Sequence, residues 1–147
     1  MKQEFDVIIV GGGMTGASLA LLLKPAMEKG LKVALIEAHA VSVQQLTQPS
    51  FDDRTTALSL STQRIFANIG VWPTLAGQAC AIKHIQVSQQ KQFGRIRLHA
   101  QDHQVDAMGY VLENRIVGQQ LMGALLKLPS LTLFTPAQVT SYEVDAR

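Results

Sequence analysis

The sequence is poor in the residues that build covalent or metal-held scaffolds, with one cysteine, Cys80, in 147 residues. A single thiol closes no internal disulfide and supplies no cysteine-rich zinc site, so disulfide frameworks and zinc fingers are excluded. Charge is scarce too, at 16% of residues, against about 25% in an average globular protein. The signs nearly balance, Lys+Arg 13 against Asp+Glu 11 for a net +2, which forces neither a nucleic-acid groove nor a polybasic membrane patch. The serines lack a G-x-S-x-G elbow, leaving a hydrolase without support. What the chain does have is an apolar content of 47%, enough to exclude disorder and to fill the core of one domain.

Residues 7 to 23 carry no charge and approach the length of a membrane span. Glu4 and Asp6 precede the run, however, and Gly11, Gly12 and Gly13 split it, a pattern that fits neither a signal peptide nor a span. The start reads as soluble and cytoplasmic.

The first half instead reads as a βαβ unit. Residues 4 to 10 end in a β-branched run of the kind buried on both faces of a parallel sheet. From Met14 the period becomes helical, with Ala17, Leu19, Ala20, Leu22 and Leu23 spread widely around the helix, as in one packed inside a protein. Pro25 should kink or end it, and Gly30 should close an added turn as a left-handed cap before a second buried strand over Lys32 to Glu37.

Residues 38 to 56 lose periodicity and read as a long excursion, the kind of loop that is often functional. Thr56 to Ile69 regains a helical pattern that ends at Gly70. Beyond Trp72 and Pro73, Ile85 and Val87, then Ile96 and Leu98, alternate with polar residues across Gln89 to Gln92 and predict an antiparallel hairpin. Strands are expected at Tyr110 to Leu112, Leu131 to Phe134 and Val139 to Val144, with an amphipathic helix over Arg115 to Leu128.

Chemistry enters at Gly11-x-Gly13-x-x-Gly16, which follows a strand and opens a helix, the context a dinucleotide fingerprint requires. Gly11 permits the tight turn, Gly13 lets backbone approach a pyrophosphate, and Gly16, with Ala20 one turn on, lets the helix pack closely on the strand. The helix start, Thr15 included, presents N–H groups to phosphate oxygens. Glu37, 21 residues past Gly16, ends the second strand, where a carboxylate accepts hydrogen bonds from ribose hydroxyls and disfavours a 2′-phosphate. That spacing is slightly long, and the excess falls around Pro25. Read alone, the fingerprint does not separate NAD from FAD, because both carry the same ADP half. A glycine turn that binds nothing is the bland alternative.

Other clusters carry less. His99 and His103 could gather metal ligands only on a helix, and the segment does not read as one, so exposed loop histidines are expected and no metal site. Arg95 and Arg97 suit a solvated face of the hairpin better than a phosphate track. Cys80, among small residues and without an activating histidine, reads as packing. Leu121, Leu125 and Leu128 form a helical core stripe.

The segment Phe51-Asp52-Asp53-Arg54-Thr55-Thr56-Ala57-Leu58-Ser59, with Ile69-Gly70-Val71-Trp72, resembles the flavoprotein aromatic hydroxylases that modify ubiquinone precursors, the polyprenyl-methoxyphenol hydroxylases among them. The likeness also takes in Val10 to Gly16, Glu37 and Gly109-Tyr110-Val111-Leu112-Glu113-Asn114, and so covers most of the chain. It implies FAD as cofactor, NAD(P)H as co-substrate, dioxygen as oxidant and a small-molecule prenylphenol as substrate. It implies that Arg54 reaches the FAD, which an always-charged guanidinium fork can do. Without the likeness, a surface arginine paired with Asp52 or Asp53 is the simpler reading. Related hydroxylases often place an arginine in the helix after Asn114, where this chain has Gln119, a weaker contact. The family's downstream Asp-Gly and Gly-Asp motifs are missing, so the chain reads as an N-terminal fragment of a longer enzyme, inactive on its own.

The fold expected is therefore α/β, an FAD/NAD(P)-binding Rossmann-like βαβ with the start of an antiparallel-sheet substrate domain, an incomplete fold. Its divisions are 1–72 for the ADP half and following helix, 73–110 for the start of the substrate domain, and 111–147 for the return to the FAD-binding domain. A prenylated substrate implies association with the periphery of the inner membrane or a ubiquinone-biosynthesis complex. The competing readings are an NAD-dependent dehydrogenase and a non-enzymatic interaction protein on the same fold.

Overall fold

Four consecutive β-branched residues, Val7–Val10, form the first strand (β1) of a computed structural model that describes residues 3–41, 50–91 and 93–144. In chain order there follow α1 (Met14–Leu22), α2 (Lys24–Met27), β2 (Val33–Ile36), β3 (Thr55–Ser59), α3 (Leu60–Asn68), α4 (Trp72–Leu75), β4 (Cys80–Ile82), β5 (His84–Ser88), β6 (Arg95–His99), β7 (Gly109–Glu113), α5 (Asn114–Leu125) and β8 (Leu131–Phe134). The strands make a parallel sheet ordered β1-β2-β8, an antiparallel sheet ordered β3-β7-β4, and the separate hairpin β5-β6. The architecture is thus α/β, a βαβ unit joined to antiparallel strands. The parallel sheet unites the two ends of the chain, and the β3-β7-β4 sheet joins the three expected divisions, β7 straddling the boundary between the second and third.

Helix α1 packs on β1, β2 and α5, and its buried face combines the small residues Ala17 and Ala20, both fully buried, with Leu21. Leu35 of β2, Phe66 of α3, Leu75 of α4 and Leu121, Met122 and Leu125 of α5 complete one continuous core. Burying each such large side chain contributes roughly 1.5–3 kcal/mol. Leu121 and Leu125 lie on that face as their spacing predicts, and Leu128, past the end of the helix, is buried as well. Pro25 stands at the start of α2, the extra turn that lengthens the path to Glu37, and Gly30 follows at φ +105°.

Several expectations are corrected. Thr56 to Ser59 lies in strand β3 rather than helix, because Thr55–Ser59 pairs residue for residue with β7 and tertiary pairing outweighs the local pattern. Helix α3 starts only where the Ser59 hydroxyl accepts the N–H of Thr62 at 3.1 Å. Val139 to Val144 forms no strand; Val139, Tyr142 and Val144 are exposed and pair with no described strand. Helix α5 ends at Leu125, short of Leu128. Strand β1 buries one face alone, with Ile9 inside and Ile8 and Val10 outside, so successive side chains alternate between a covered and an open face. Helix α1 is likewise covered on one side, leaving Leu19 and Leu22 exposed. Cys80 is exposed on edge strand β4 rather than packed. His99 is no loop residue: it ends β6 half-buried, with its Nδ1 2.6 Å from that of His84, whereas His103 is exposed in a 3₁₀ turn. Most of the expected excursion, residues 42 to 49, lies outside the described residues.

Candidate functional site

The glycine turn meets the demands read from it at two positions. Gly11 sits at φ +97°, where an L side chain is strained, and its N–H donates to the Ile36 carbonyl at 2.8 Å, tying the turn to β2. At Gly16 a Cβ would stand 1.9 Å from the Gly11 carbonyl oxygen and 3.2 Å from Ile9 Cγ2, so the absent side chain is what lets α1 lie against β1. Gly13 is the N-cap of the nine-residue α1, and no side chain caps that end. The leading N–H groups of a helix have no partner within it, and the helix dipole makes this end attractive to anions. A Cβ on Gly13 would point at Ser50 Oγ, 3.2 Å away.

Glu37 follows β2 and is buried at 6% exposure. Its Oε2 accepts the N–H of Gly12 at 2.6 Å, while Oε1 accepts the N–H of His39 at 2.8 Å and faces His39 Nδ1 at 3.0 Å. Burial pushes the carboxyl up, but the backbone N–H groups of His39 and Gly12, then the His39 side chain, outweigh it and hold the acid below its ordinary value near 4.5. The carboxylate is therefore ionised at neutral pH and fastened to the turn. Around it opens a groove of about 500 Å³ lined by Gly11, Glu37, His39, Ser50 and Gln138 among others. It lies at the carboxyl ends of β1 and β2, where open α/β sheets bind ligands.

A second polar cluster begins at Ser50 and runs away from the groove. Phe51 is buried, its ring against Gly118 of α5 so tightly that a Cβ on that glycine would fall 2.3 Å from it. The anchored chain then bonds along α5: Arg115 N–H donates to the Asp52 carbonyl and Asn114 N–H to the Arg54 carbonyl. Buried Asn114 donates through Nδ2 to Asp52 and accepts from the Thr56 hydroxyl. Asp52 is bound by Arg54 through both backbone N–H and Nε, and Arg115 pairs with Asp53 and Glu113. Desolvation raises the Asp52 carboxyl, yet the Arg54 N–H, the Arg54 guanidinium and Asn114 together outweigh it and hold the acid below its ordinary value.

Gly11, Gly13, Gly16 and Glu37 are thus brought together. Thr15 is exposed in the first turn of α1 and lines a different, more apolar groove shared with Thr56 and Ile65. Arg54 points into its pair with Asp52, three-quarters exposed, and Gln119 is half-buried on α5; neither lines the groove at Glu37. Sequence reasoning missed His39, Ser50, Asn114 and the Phe51–Gly118 contact. Phe51 and Asn114 stood inside the segments that carry the family likeness, without a role assigned, and Gly118 left the signal of a glycine inside a helical pattern. Among the described residues no group of three or more metal-ligating side chains comes together, and no helix is long and apolar enough to cross a membrane.

An uncapped helix start, a turn that admits no side chains at Gly11 and Gly16, and an ionised carboxylate at the next strand end fit an adenine dinucleotide. The chain belongs to the family described as the FAD binding domain, whose model matches residues 4–147. It is 36% identical over 141 residues to the ubiquinone hydroxylase UbiL of Rhodospirillum rubrum, covering 95% of this chain and 31% of that protein. It is 28% identical to the 3-demethoxyubiquinol 3-hydroxylase of Escherichia coli, covering 94% of this chain and 34% of that one. The chain therefore spans about a third of the length of these relatives. Its fold matches the p-nitrophenol 4-monooxygenase PnpA of Pseudomonas putida with a TM-score of 0.71 at 19% identity, over 99% of this chain and 35% of that one. The flavin-dependent monooxygenase PieE, solved with FAD and substrate, matches at 0.61 and 17% identity, over 89% of this chain and 24% of that one.

Proposed function

We propose that this chain supplies the adenosine-diphosphate side of the FAD site in a monooxygenase that hydroxylates a prenylated phenol in ubiquinone biosynthesis, with NAD(P)H as reductant and dioxygen as oxidant. The observation that carries the reading is the buried Glu37 carboxylate hydrogen-bonded to Gly12 of the glycine turn. The names of the ubiquinone hydroxylases that resemble it support the substrate class.

Bound FAD would supply the electron transfer and oxygen activation that side chains cannot. The residues of this chain bind and orient. The turn from Gly11 to Gly16 and the first turn of α1, Thr15 included, receive the diphosphate, and Glu37 accepts the ribose hydroxyls and repels a 2′-phosphate. Arg54 contacts the cofactor by exchanging its pair with Asp52 for cofactor oxygens, and Gln119 makes a weaker contact from α5. The divisions 1–72, 73–110 and 111–147 stand for the ADP half, the entry into the substrate domain and the return. The enzyme is cytoplasmic in this reading, and a prenylated substrate draws it to the periphery of the inner membrane or into a complex of ubiquinone-biosynthesis proteins.

The test is to purify the full-length protein gently and record its spectrum. An oxidised-flavin band, with NAD(P)H oxidation stimulated by an added prenylphenol, is the expected result. A colourless protein that refuses FAD overturns the proposal: turnover with NAD alone then indicates a dehydrogenase, and binding of a protein partner alone indicates an interaction module.

A further inference from the structure

The hydrogen bonds at Glu37 leave too few acceptor sites for the ribose this carboxylate would hold. An ionised carboxylate offers about four lone-pair sites. Among the described residues three are taken, by the N–H of Gly12, the N–H of His39 and His39 Nδ1. The adenosine ribose brings two hydroxyl donors, so one present donor must leave for both to bind.

The backbone donors are held from both sides. Gly12 sits in a turn whose preceding residue is bonded to β2. The backbone of His39 is pinned by the Thr135 hydroxyl, which donates to the His39 carbonyl at 2.7 Å and accepts from Val41 N–H at 3.1 Å. The imidazole alone hangs on rotatable bonds, and its side chain is 44% exposed on the wall of the groove. Facing a carboxylate, Nδ1 is the nitrogen that carries the proton.

We infer that the His39 ring is a latch on the ribose subsite, occupying a Glu37 acceptor position that the ribose diol takes over, so that nucleotide binding swings the ring out while the backbone N–H of His39 stays. The inference rests on the proposed FAD site and makes the His39 ring a competitor of the ribose there. Removing the ring removes a competitor, not a support.

The test uses the full-length apoprotein with ADP, 2′-deoxy-ADP and FAD as probes. For His39→Ala, with its fold checked by circular dichroism, the expected result is about threefold tighter ADP and FAD binding. The gain should vanish with 2′-deoxy-ADP, which has one donor fewer and lets the ring stay. On the wild-type protein, imidazole ¹⁵N resonances should report loss of the Nδ1 hydrogen bond when ADP is added. Weaker ADP binding by His39→Ala, equal gains with both nucleotides, or an unchanged Nδ1 signal in the complex would each overturn the latch. Wild-type protein that binds neither ADP nor FAD would instead fail the site itself, and the latch with it.

Discussion

The two polar regions on either side of Ser50 are built in opposite ways. At the glycine turn the working groups are backbone N–H donors and one carboxylate 25 residues away, joined by the pairing of adjacent parallel strands. In the Phe51 to Arg54 segment the working groups are side chains, and their partners on α5 lie 62 residues off. The first region depends on the shape of the main chain, and the second on whether a distant helix docks where it should. A site built of backbone is therefore sensitive to an added methyl group, whereas the second region rests on buried Phe51 and Asn114 and tolerates loss of an exposed charge.

Substitutions can break or sharpen this contrast. The largest effect is expected at Gly16→Val, because the new Cβ meets a carbonyl oxygen of rigid backbone at 1.9 Å. A loss of about 3 kcal/mol or more should appear in urea unfolding, and a variant as stable as wild type would show that α1 does not need close approach to β1. Next comes Phe51→Ala, which empties a buried ring site against Gly118 and should cost about 3–5 kcal/mol. If the segment is anchored by its polar bonds instead, urea unfolding would show little change.

Glu37→Ala should weaken FAD binding at least about tenfold, since hydrogen bonds to a charged group contribute roughly 1.5–3 kcal/mol each, and flavin fluorescence titration would read it. The same acid sets a pH dependence. Its carboxyl is held below 4.5 in the folded protein, so the stability it confers is present above that value and is lost as pH falls through the depressed one. Glu37→Gln should flatten the acid limb of a stability profile, and an unchanged limb would assign it to other carboxylates. The smallest effect is expected at Arg54→Gln. Its pair with Asp52 is exposed, and such pairs stabilise little, so the melting temperature should not move. FAD affinity should nevertheless fall, and an unchanged affinity would leave Arg54 with a surface pairing role alone.

Legibility followed the same divide. The strand, turn and helix from Val7 to Leu22 were readable because glycine spacing and a change of period are local properties. Glu37 was readable because it ends the strand that follows. Strand β3 was misread because Thr56 to Leu58 carries a pattern compatible with helix, and only pairing with β7 decides otherwise. His39 gave no signal, since a histidine two residues after an acid means nothing until the chain bends it back onto the carboxylate.

By itself, the sequence determined the turn, the strand order of the βαβ unit and the acid that serves it, because steric limits on glycine and burial of β-branched runs act over a few residues. Tertiary structure alone decided that Phe51 would seat on Gly118, that Asn114 would join Asp52 to Thr56, and that His39 would share Glu37 with Gly12. Those contacts arise from packing between segments far apart in the chain, where the free energy belongs to the pair and neither partner's local sequence encodes it.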